Sequence, residues 1–336
     1  MRHIKIKDHR DDSSVRRLLV LAADPAGEQG LEDLLDECQD LQVLAHIAED
    51  GTIAALAAYR HSDQYSLCLE FLAVLPEFQQ RGLGRALVEE LRSMHRKNVW
   101  ATTDDDAIDF YRALGCVVSN SAEDPRWPGV ARYLCTLPYL PLLNNQPTED
   151  PEYEAVNGQL TRGNIRIVEP SPSWPRDFED FARRIAGALG PQALAIEHTG
   201  STSVPGLPAK PIIDISLLVP DANVEPSYVP ALEGAGLVFW HREPGWYAHR
   251  MFKPPAGSSI DANIHVFSAG SPEYLRMVLF REHLKGDAAD RQAYAQVKRQ
   301  AAAQLLAEQG EDGLVMDYNR IKEPFILALH HKLFAS

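Results

Sequence analysis

Glycines and arginines near residue 80 form a stretch whose composition suits anion binding. It reads Gln79-Gln80-Arg81-Gly82-Leu83-Gly84-Arg85, and apolar residues then recur at helical spacing as far as Met94. Two glycines in the first turn of a helix each cost about 1 kcal/mol relative to alanine, so they need a reason. One reason is close approach to an anion, which free N–H groups and the helix dipole attract. The other is a turn with a tight helix–sheet contact.

This stretch matches neither of two well-known phosphate-binding loops. Leu87 stands where the dinucleotide-binding fingerprint has its third glycine, and no Gly-Lys-Ser or Gly-Lys-Thr follows, as a P-loop requires. A strand predicted from Tyr65 to Leu75 precedes the stretch. That strand is apolar on both faces except at Glu70, as expected at the centre of a sheet that helices cover.

Polar residues of the second half form another candidate site. A strand, a glycine–serine loop and a second strand carrying an acid are a plausible arrangement for phosphate and metal. The loop would offer an N–H group and a hydroxyl, Lys210 a charge and Asp214 a metal ligand. The structural alternative is a polar loop capped by a buried Asp214. The candidate ligand-binding residues are Gly200, Ser201, Lys210, Asp214 and His265, with Asp214 and Asp261 as candidates for Mg²⁺.

Two motifs of the first half resemble those of the GNAT superfamily of acyl-CoA N-acyltransferases. Gln79-Gln-Arg-Gly82-Leu-Gly84 resembles the family's Q/R-x-x-G-x-G/A motif, and Phe110-Tyr111 up to Gly115 resembles its second signature, a short helix ending at glycine. The resemblance covers about residues 1–138. It implies a fold in which two parallel central strands splay apart. Acyl-CoA, expected to be acetyl-CoA, would lie in the cleft with its pyrophosphate on the glycine stretch.

The resemblance also implies roles for single residues. Tyr111 matches the tyrosine that protonates the departing thiolate, and its alternative is packing beside Phe110. Glu70 is a candidate general base, and its alternative is a structural salt bridge. Asp104 stands where family members often carry asparagine, a departure that places an acid near the phosphates. The expected cofactor-binding residues are Leu72, Ala73, Val74, Gln79, Gln80, Arg81, Gly82, Leu83, Gly84, Arg85 and Asp104.

The second half resembles the GrpB family over about residues 165–330. This family is predicted to share the nucleotidyltransferase fold, a small mixed sheet with helices, and the resemblance implies a nucleotide or a related phosphorylated ligand. Nucleotidyltransferases normally present a second acid two residues after the first, where this chain has Ser216. The matching segments include Glu197-His198-Thr-Gly200-Ser201-Thr, Lys210-Pro-Ile-Ile-Asp214, Tyr294 with Lys298, and Tyr318 with Lys322.

Periodicity and composition indicate two α/β (α+β) domains. Helical and strand periodicity stops in a proline-rich polar stretch, which predicts a domain at 1–140, a linker at 141–164 and a second domain with a helical tail at 165–336. The chain of 336 residues is 45% hydrophobic and has no apolar run long enough to span a membrane and no signal-like N-terminus. A net charge of −14 without a basic face argues against nucleic acid as a partner. Four cysteines without a C-x-x-C pair are expected to be buried thiols in a reducing cytoplasm.

The leading hypothesis is a cytoplasmic enzyme of two domains. The first would transfer an acetyl group from acetyl-CoA to an amine of a small molecule or protein, and the second would bind a nucleotide or phosphorylated ligand. A second hypothesis makes the GrpB-like domain a metal-dependent nucleotidyltransferase and the GNAT-like domain an acetyl-CoA-binding regulatory module. A third treats both domains as non-enzymatic binding modules.

Overall fold

The computed structural model describes residues 1–122, 128–144, 152–158, 163 and 165–335. The chain forms two compact units, one of Met1–Val118 and Cys135–Tyr139, the other of Ser119–Leu134 and Leu140–Ser336. Two separate sheets with helices confirm the predicted mixed α/β fold class. Parts of the predicted linker, residues 145–151, 159–162 and 164, lie outside the described residues. No helix in the described part of the chain has the length and apolar content that crossing a bilayer requires.

The elements up to residue 137 alternate between strands and helices, as predicted. In chain order they are β1 (Arg2–Ile4), α1 (Ser13–Ala23), α2 (Gly27–Glu37), β2 (Gln42–Ile47), β3 (Ile53–His61), β4 (Ser66–Val74), α3 (Leu83–His95), β5 (Asn98–Thr103), α4 (Ile108–Leu114), β6 (Val117–Asn120) and β7 (Tyr133–Leu137). The sheet order is β1-β2-β3-β4-β5-β7-β6.

Helical spacing places one apolar face of α1 against this sheet. Val15, Leu18 and Leu19 are fully buried and pack with residues of α2 and β3. Asp12 caps α1, since its carboxylate accepts hydrogen bonds from the N–H groups of Ser14 and Val15. All four cysteines are free thiols, three of them buried and Cys116 half-buried.

The remaining elements follow from residue 140. They are α5 (Leu140–Asn144), β8 (Glu154–Ala155), α6 (Trp174–Leu189), β9 (Ala195–Thr199), β10 (Ile212–Val219), α7 (Val229–Gly234), β11 (Val238–Glu243), β12 (His249–Lys253), β13 (Asp261–Ser268), α8 (Pro272–Gly286), α9 (Ala288–Gln309) and α10 (Val315–Phe334). The order in the second sheet is β8-β11-β12-β13-β10-β9. Strands β10 and β13 are parallel, and the other pairs are antiparallel.

The two faces of the second sheet differ in polarity. Because side chains alternate along a strand, Ile213, Ile215 and Leu217 of β10 share one face with Ile264 and Val266 of β13. These residues are fully buried in a core with side chains of α6 and α7. The residues between them point to the opposite face, which therefore carries the polar side chains of the candidate site.

Candidate functional site

Strands β4 and β5 part in the middle of the first sheet. They run parallel and pair only at Ser66 with Asn98, Leu67 with Val99 and Cys68 with Trp100. Beyond Cys68, β4 continues to Val74 with β3 as its hydrogen-bonded neighbour. The predicted backbone groups of Leu72, Ala73 and Val74 lie in this continuation. The sheet therefore opens a gap beside the backbone that was predicted to hold the acyl group.

The helix start predicted to bind phosphate has an uncapped first turn. Helix α3 begins at Leu83, and its cap residue Gly82 has no side chain to accept a hydrogen bond from the first N–H groups. Gly82 has a φ of +75°, and Gln80 before it has a φ of +59°, so both lie in the left-handed region. A Cβ on Gly84 would lie 3.4 Å from the ring of Phe110, an ordinary van der Waals contact, so packing does not require glycine there. The turn explains Gly82, and close approach of a ligand remains the reason for Gly84.

The polar side chains around this helix start are exposed and lightly held. The guanidinium of Arg81 donates to the carbonyl of Glu77 at 3.1 Å and lies over the ring of Phe78. Arg85 pairs with Glu89 at 3.2 Å and donates to the carbonyl of Ala113. The amide of Gln79 donates to the carbonyl of Val74 at the end of β4. Such surface contacts are weak enough for these side chains to exchange them for an anion.

Tyr111 lies on α4 and is buried beside the neighbouring ring. Its ring meets that of Phe110 edge-on, with 5.2 Å between the centroids. Burial raises the pKa of the Tyr111 hydroxyl above its usual value, and the thiols of Cys135 and Cys116 add to the effect. The hydroxyl is therefore protonated at neutral pH, as a proton donor must be.

The two candidate acids of the first domain occupy different settings. A register shift between β3 and β4 leaves Glu70 in a β-bulge, where its carboxylate pairs with Nε of Arg60 at 2.5 Å. This side chain is 31% exposed and paired, so Glu70 is not the buried, unpaired carboxylate whose cost the sequence suggested. Asp104 follows β5, and its carboxylate accepts a hydrogen bond from the N–H of Asp106 at 3.2 Å. It therefore shapes the turn into α4.

Asp214 is the centre of the polar face in the second unit. Its Oδ1 accepts a hydrogen bond from the amide of Asn263 at 2.9 Å and lies 3.8 Å from Nε2 of His265. Burial would raise the pKa of Asp214, but the contacts with His265 and Asn263 and the charge of Lys210 outweigh it, so the pKa lies below its usual value. A Cβ on Gly200 would lie 2.2 Å from Oδ2 of Asp214. Only glycine lets the loop after β9 cover this carboxylate.

Three lysines surround the same carboxylate, and two of them were not among the predicted ligand-binding residues. The ammonium groups of Lys210 and Lys322 lie 5.2 and 5.0 Å from the ring centroid of Tyr318. Lys298 lies 4.8 Å from the ring centroid of Tyr294 and donates to the carbonyl of Pro208 at 2.5 Å. The sequence feature that could have identified Lys298 and Lys322 is a tyrosine followed four residues later by a lysine, on each of two helices. Both pairs are part of the GrpB resemblance. We call Lys210, Lys298, Lys322 and Asp214 the lysine pocket.

The lysine pocket has more positive than negative charge. Burial and the nearby charge of Lys322 lower the pKa of Lys210 to about 8 and that of Lys298 to about 7. Burial also lowers the pKa of Lys322 itself. All three shifts express the cost of holding ammonium groups together, which Asp214, and for Lys210 also Asp261, offset only in part. An anion bound among them would relieve that cost.

The remaining predicted residues of the second site lie around this pocket. Ser201 follows Gly200, and the hydroxyl of Tyr294 is its hydrogen-bond partner. Asp261 is exposed at the start of β13. Among the described residues, acids and histidines close enough to share a metal form two groups, His241–Glu243–His249 and His283–Asp287–Asp290, and neither includes Asp214 or Asp261. Glu197 is held by Arg281 at 2.7 Å, and His198 stacks on Phe178.

Two family models match the chain, and known relatives extend over both regions. The acetyltransferase (GNAT) family matches residues 13–116, and the GrpB protein family matches residues 164–332. A UPF0157 protein of Halalkalibacterium halodurans is 48% identical over 162 residues, which are 47% of this chain and 82% of that protein. The UPF0157 protein YqkA of Bacillus subtilis is 23% identical over 319 residues, 90% of this chain and 84% of that protein. The crystal structure of the conserved protein GrpB from Enterococcus faecalis matches with 27% identity and a TM-score of 0.44, covering 51% of this chain and 98% of that one.

Proposed function

Because the chain belongs to the GrpB family and carries a GNAT acetyltransferase domain at residues 13–116, we propose that it is an acetyl-CoA-dependent N-acetyltransferase joined to a domain that binds a phosphorylated ligand. The observation that carries the first part is the gap between β4 and β5, which lies next to the uncapped start of α3. Free N–H groups at a helix start attract the pyrophosphate of a CoA ester.

Acetyl transfer to an amine needs a polarised carbonyl, a proton for the leaving thiolate and a base for the amine. In this proposal, backbone N–H groups at Leu72 to Val74 polarise the thioester. Tyr111 supplies the proton, since burial keeps its hydroxyl protonated. Glu70, on the same strand, exchanges its ion pair with Arg60 to accept the proton of the amine, directly or through a water molecule. The acceptor is a primary amine of a small molecule or a protein.

Charge reversal at Arg81 tests the cofactor. Arg81→Glu places an acid at the proposed phosphate site, so we expect it to lose most of the thermal stabilisation that acetyl-CoA gives the wild-type protein. A ligand at about 100 times its Kd stabilises its site by roughly 2.7 kcal/mol. Arg96→Glu is the matched control, because Arg96 is exposed at the opposite end of the same helix.

The catalytic step is tested on the same proteins by following release of the CoA thiol with a panel of primary amines. Tyr111→Phe should keep the stabilisation by acetyl-CoA and lower turnover by about 100-fold or more. Unchanged turnover would remove Tyr111 from the proton transfer. An absence of both stabilisation and thiol release in the wild-type protein would contradict the acetyltransferase proposal and favour a non-enzymatic first domain.

The excess positive charge of the lysine pocket supports a phosphorylated ligand in the second domain. Three buried or half-buried ammonium groups outnumber the nearby carboxylates of Asp214 and Asp261, and these surroundings suit an anion better than Mg²⁺. Asp214 also lacks the second acid that a pair of metal ions would share, because Ser216 stands at that position. Phosphate binding is therefore favoured over metal-dependent nucleotidyl transfer.

Loss of one pocket lysine tests this ligand. Lys322→Gln removes one charge from the lysine pocket, and charged hydrogen bonds contribute about 1.5–3 kcal/mol, so we expect inorganic pyrophosphate to bind about 10- to 100-fold more weakly. Isothermal titration calorimetry measures the affinity in the full chain. Lys332→Gln is the control, since Lys332 lies on the same helix and is 58% exposed. Equal binding by both variants, or no binding by the wild-type protein, would count against an anion site.

A further inference from the structure

Four ionisable side chains lie in a row across the polar face of the second sheet, one on each of four neighbouring strands. Glu243 is on β11, His249 on β12, His265 on β13 and Asp214 on β10. Oε2 of Glu243 is 2.6 Å from Nδ1 of His249, and Nε2 of His249 is 3.0 Å from Nδ1 of His265. Nε2 of His265 is 3.8 Å from Oδ1 of Asp214. The row therefore ends in the lysine pocket.

The carboxylate of Glu243 sets the direction of the hydrogen bonds. Burial opposes its ionisation, but hydrogen bonds with His241 and His249 hold the pKa of Glu243 well below its usual value. As a carboxylate it only accepts, so Nδ1 of His249 must donate. The ring of His249 is fully buried, which favours its neutral form, and with the proton on Nδ1 its Nε2 has none. The hydrogen bond between the rings is then donated by Nδ1 of His265.

This direction leaves two acceptors facing each other at the pocket end. When the only ring proton is on Nδ1, His265 turns the lone pair of Nε2 toward Oδ1 of Asp214, which also accepts. The two atoms lie 3.8 Å apart, too far for a direct hydrogen bond, so both can accept from one donor placed beside them. A second proton on His265 would be one such donor, and a hydroxyl group or water would be another. The other charged groups at this end are the three lysines of the pocket, Lys210, Lys298 and Lys322, whereas His241 lies beside Glu243 at the opposite end of the row.

We infer that Glu243 and His249 are positioning residues that hold His265 as a proton acceptor of the lysine pocket, where His265 and Asp214 together receive the proton of a hydroxyl group or water next to a bound phosphate. The proton goes to Nε2 of His265, and the electron pair of the O–H bond stays on the oxygen. This proton transfer depends on the proposed phosphorylated ligand. The tautomer of His265 does not depend on that ligand.

Nitrogen NMR of the ligand-free, metal-free full chain tests the tautomer. Imidazole ¹⁵N labelling distinguishes a protonated ring nitrogen from a bare one, and the signals of His265 are assigned by their loss in His265→Gln. We expect a protonated Nδ1 at every pH from 6 to 9, with any change of protonation confined to Nε2. A bare Nδ1 with a protonated Nε2 would overturn the inference, because the hydrogen bonds of the row would then be donated in the opposite direction. The same reversal would occur if His249 bound a metal ion through Nδ1.

A pair of variants separates the role of Glu243 from a general effect on the sheet. Glu243→Gln replaces an obligatory acceptor by an amide that can donate or accept, so we expect His265 to show a mixture of tautomers. Glu225→Gln is the matched control, since Glu225 binds Arg250 of β12 at 2.7 Å on the other face of the sheet. An unchanged His265 in Glu243→Gln would overturn the positioning role. If the expected tautomer is present but pyrophosphate does not bind the wild-type protein, that result would contradict only the proposed ligand.

Discussion

The folded chain holds three lysines close together without enough carboxylates beside them to balance their charge. These are Lys210, Lys298 and Lys322. Each ammonium group lies over a tyrosine ring, which attracts it, while the three ammonium groups repel one another. A protein keeps such a charge excess at a cost in stability. The cost is understandable where an anion binds, and perturbed pKa values of this kind cluster at functional sites.

The lowered pKa values of these lysines predict that anion binding weakens as pH rises. The empty pocket loses protons near pH 7 to 8, at the pKa values of about 7 and 8 for Lys298 and Lys210, whereas a bound anion would favour the charged ammonium groups. Binding therefore takes up protons. We expect sulfate, whose charge is constant in this range, to bind about tenfold or more weakly at pH 9 than at pH 7.

The ligand-free protein should show the opposite trend. The folded-state pKa of each lysine lies below the unfolded value of about 10.4, so the unfolded chain binds more protons between about pH 7 and 10. The contribution of these lysines to stability therefore rises with pH over that interval. Urea unfolding at several pH values measures the trend.

A sulfate affinity that does not change with pH would mean that the lysines do not contact the anion as charged groups.

At the scale of elements, local pattern predicted much of the first domain and long-range pairing decided the rest. The hairpin of β2 and β3, the strand β4 and the helix α3 are where alternation and helical spacing placed them. The bulge that carries Glu70 depends on the register between β3 and β4, which no local pattern specifies. For the same reason, the sequence could mark Glu70 as costly without showing that Arg60 pairs with it.

The loop between β9 and β10 depends on glycine at position 200. Gly200→Ala should destabilise the protein by about 1–3 kcal/mol, because the φ of +64° is unfavourable for alanine and the new Cβ would displace the carboxylate of Asp214. We also expect weaker binding of pyrophosphate. Gly206→Ala is the control, since Gly206 has a φ of +76° in the same loop but open space at its Cβ. Denaturation in urea and calorimetry measure the two effects, and equal losses of affinity in both variants would dismiss the contact with Asp214.

At the scale of the whole molecule, both family resemblances predicted from the sequence are confirmed. The membership of residues 119–122 and 128–134 in the second unit could not be predicted. It depends on contacts between distant parts of the sequence, such as the hydrogen bonds of Ser119 with Tyr274 at 2.5 Å and of Ser121 with the carbonyl of Leu194 at 2.6 Å. Hydrophobic periodicity reports where an element lies, and it contains no information on which distant element an isolated serine will bind.

The two units of the chain should unfold separately. Each unit has its own core, one around Leu18 and Leu56 and the other around Ile215 and Val266. We therefore expect calorimetry of the full chain to show two transitions, of which acetyl-CoA raises one and pyrophosphate the other, by several degrees at about 100 times each Kd. Arg81→Glu should abolish only the shift by acetyl-CoA, and Lys322→Gln should reduce only the shift by pyrophosphate. A single transition that both ligands raise would mean that the two units unfold together, and the domains of this chain would then be energetically coupled.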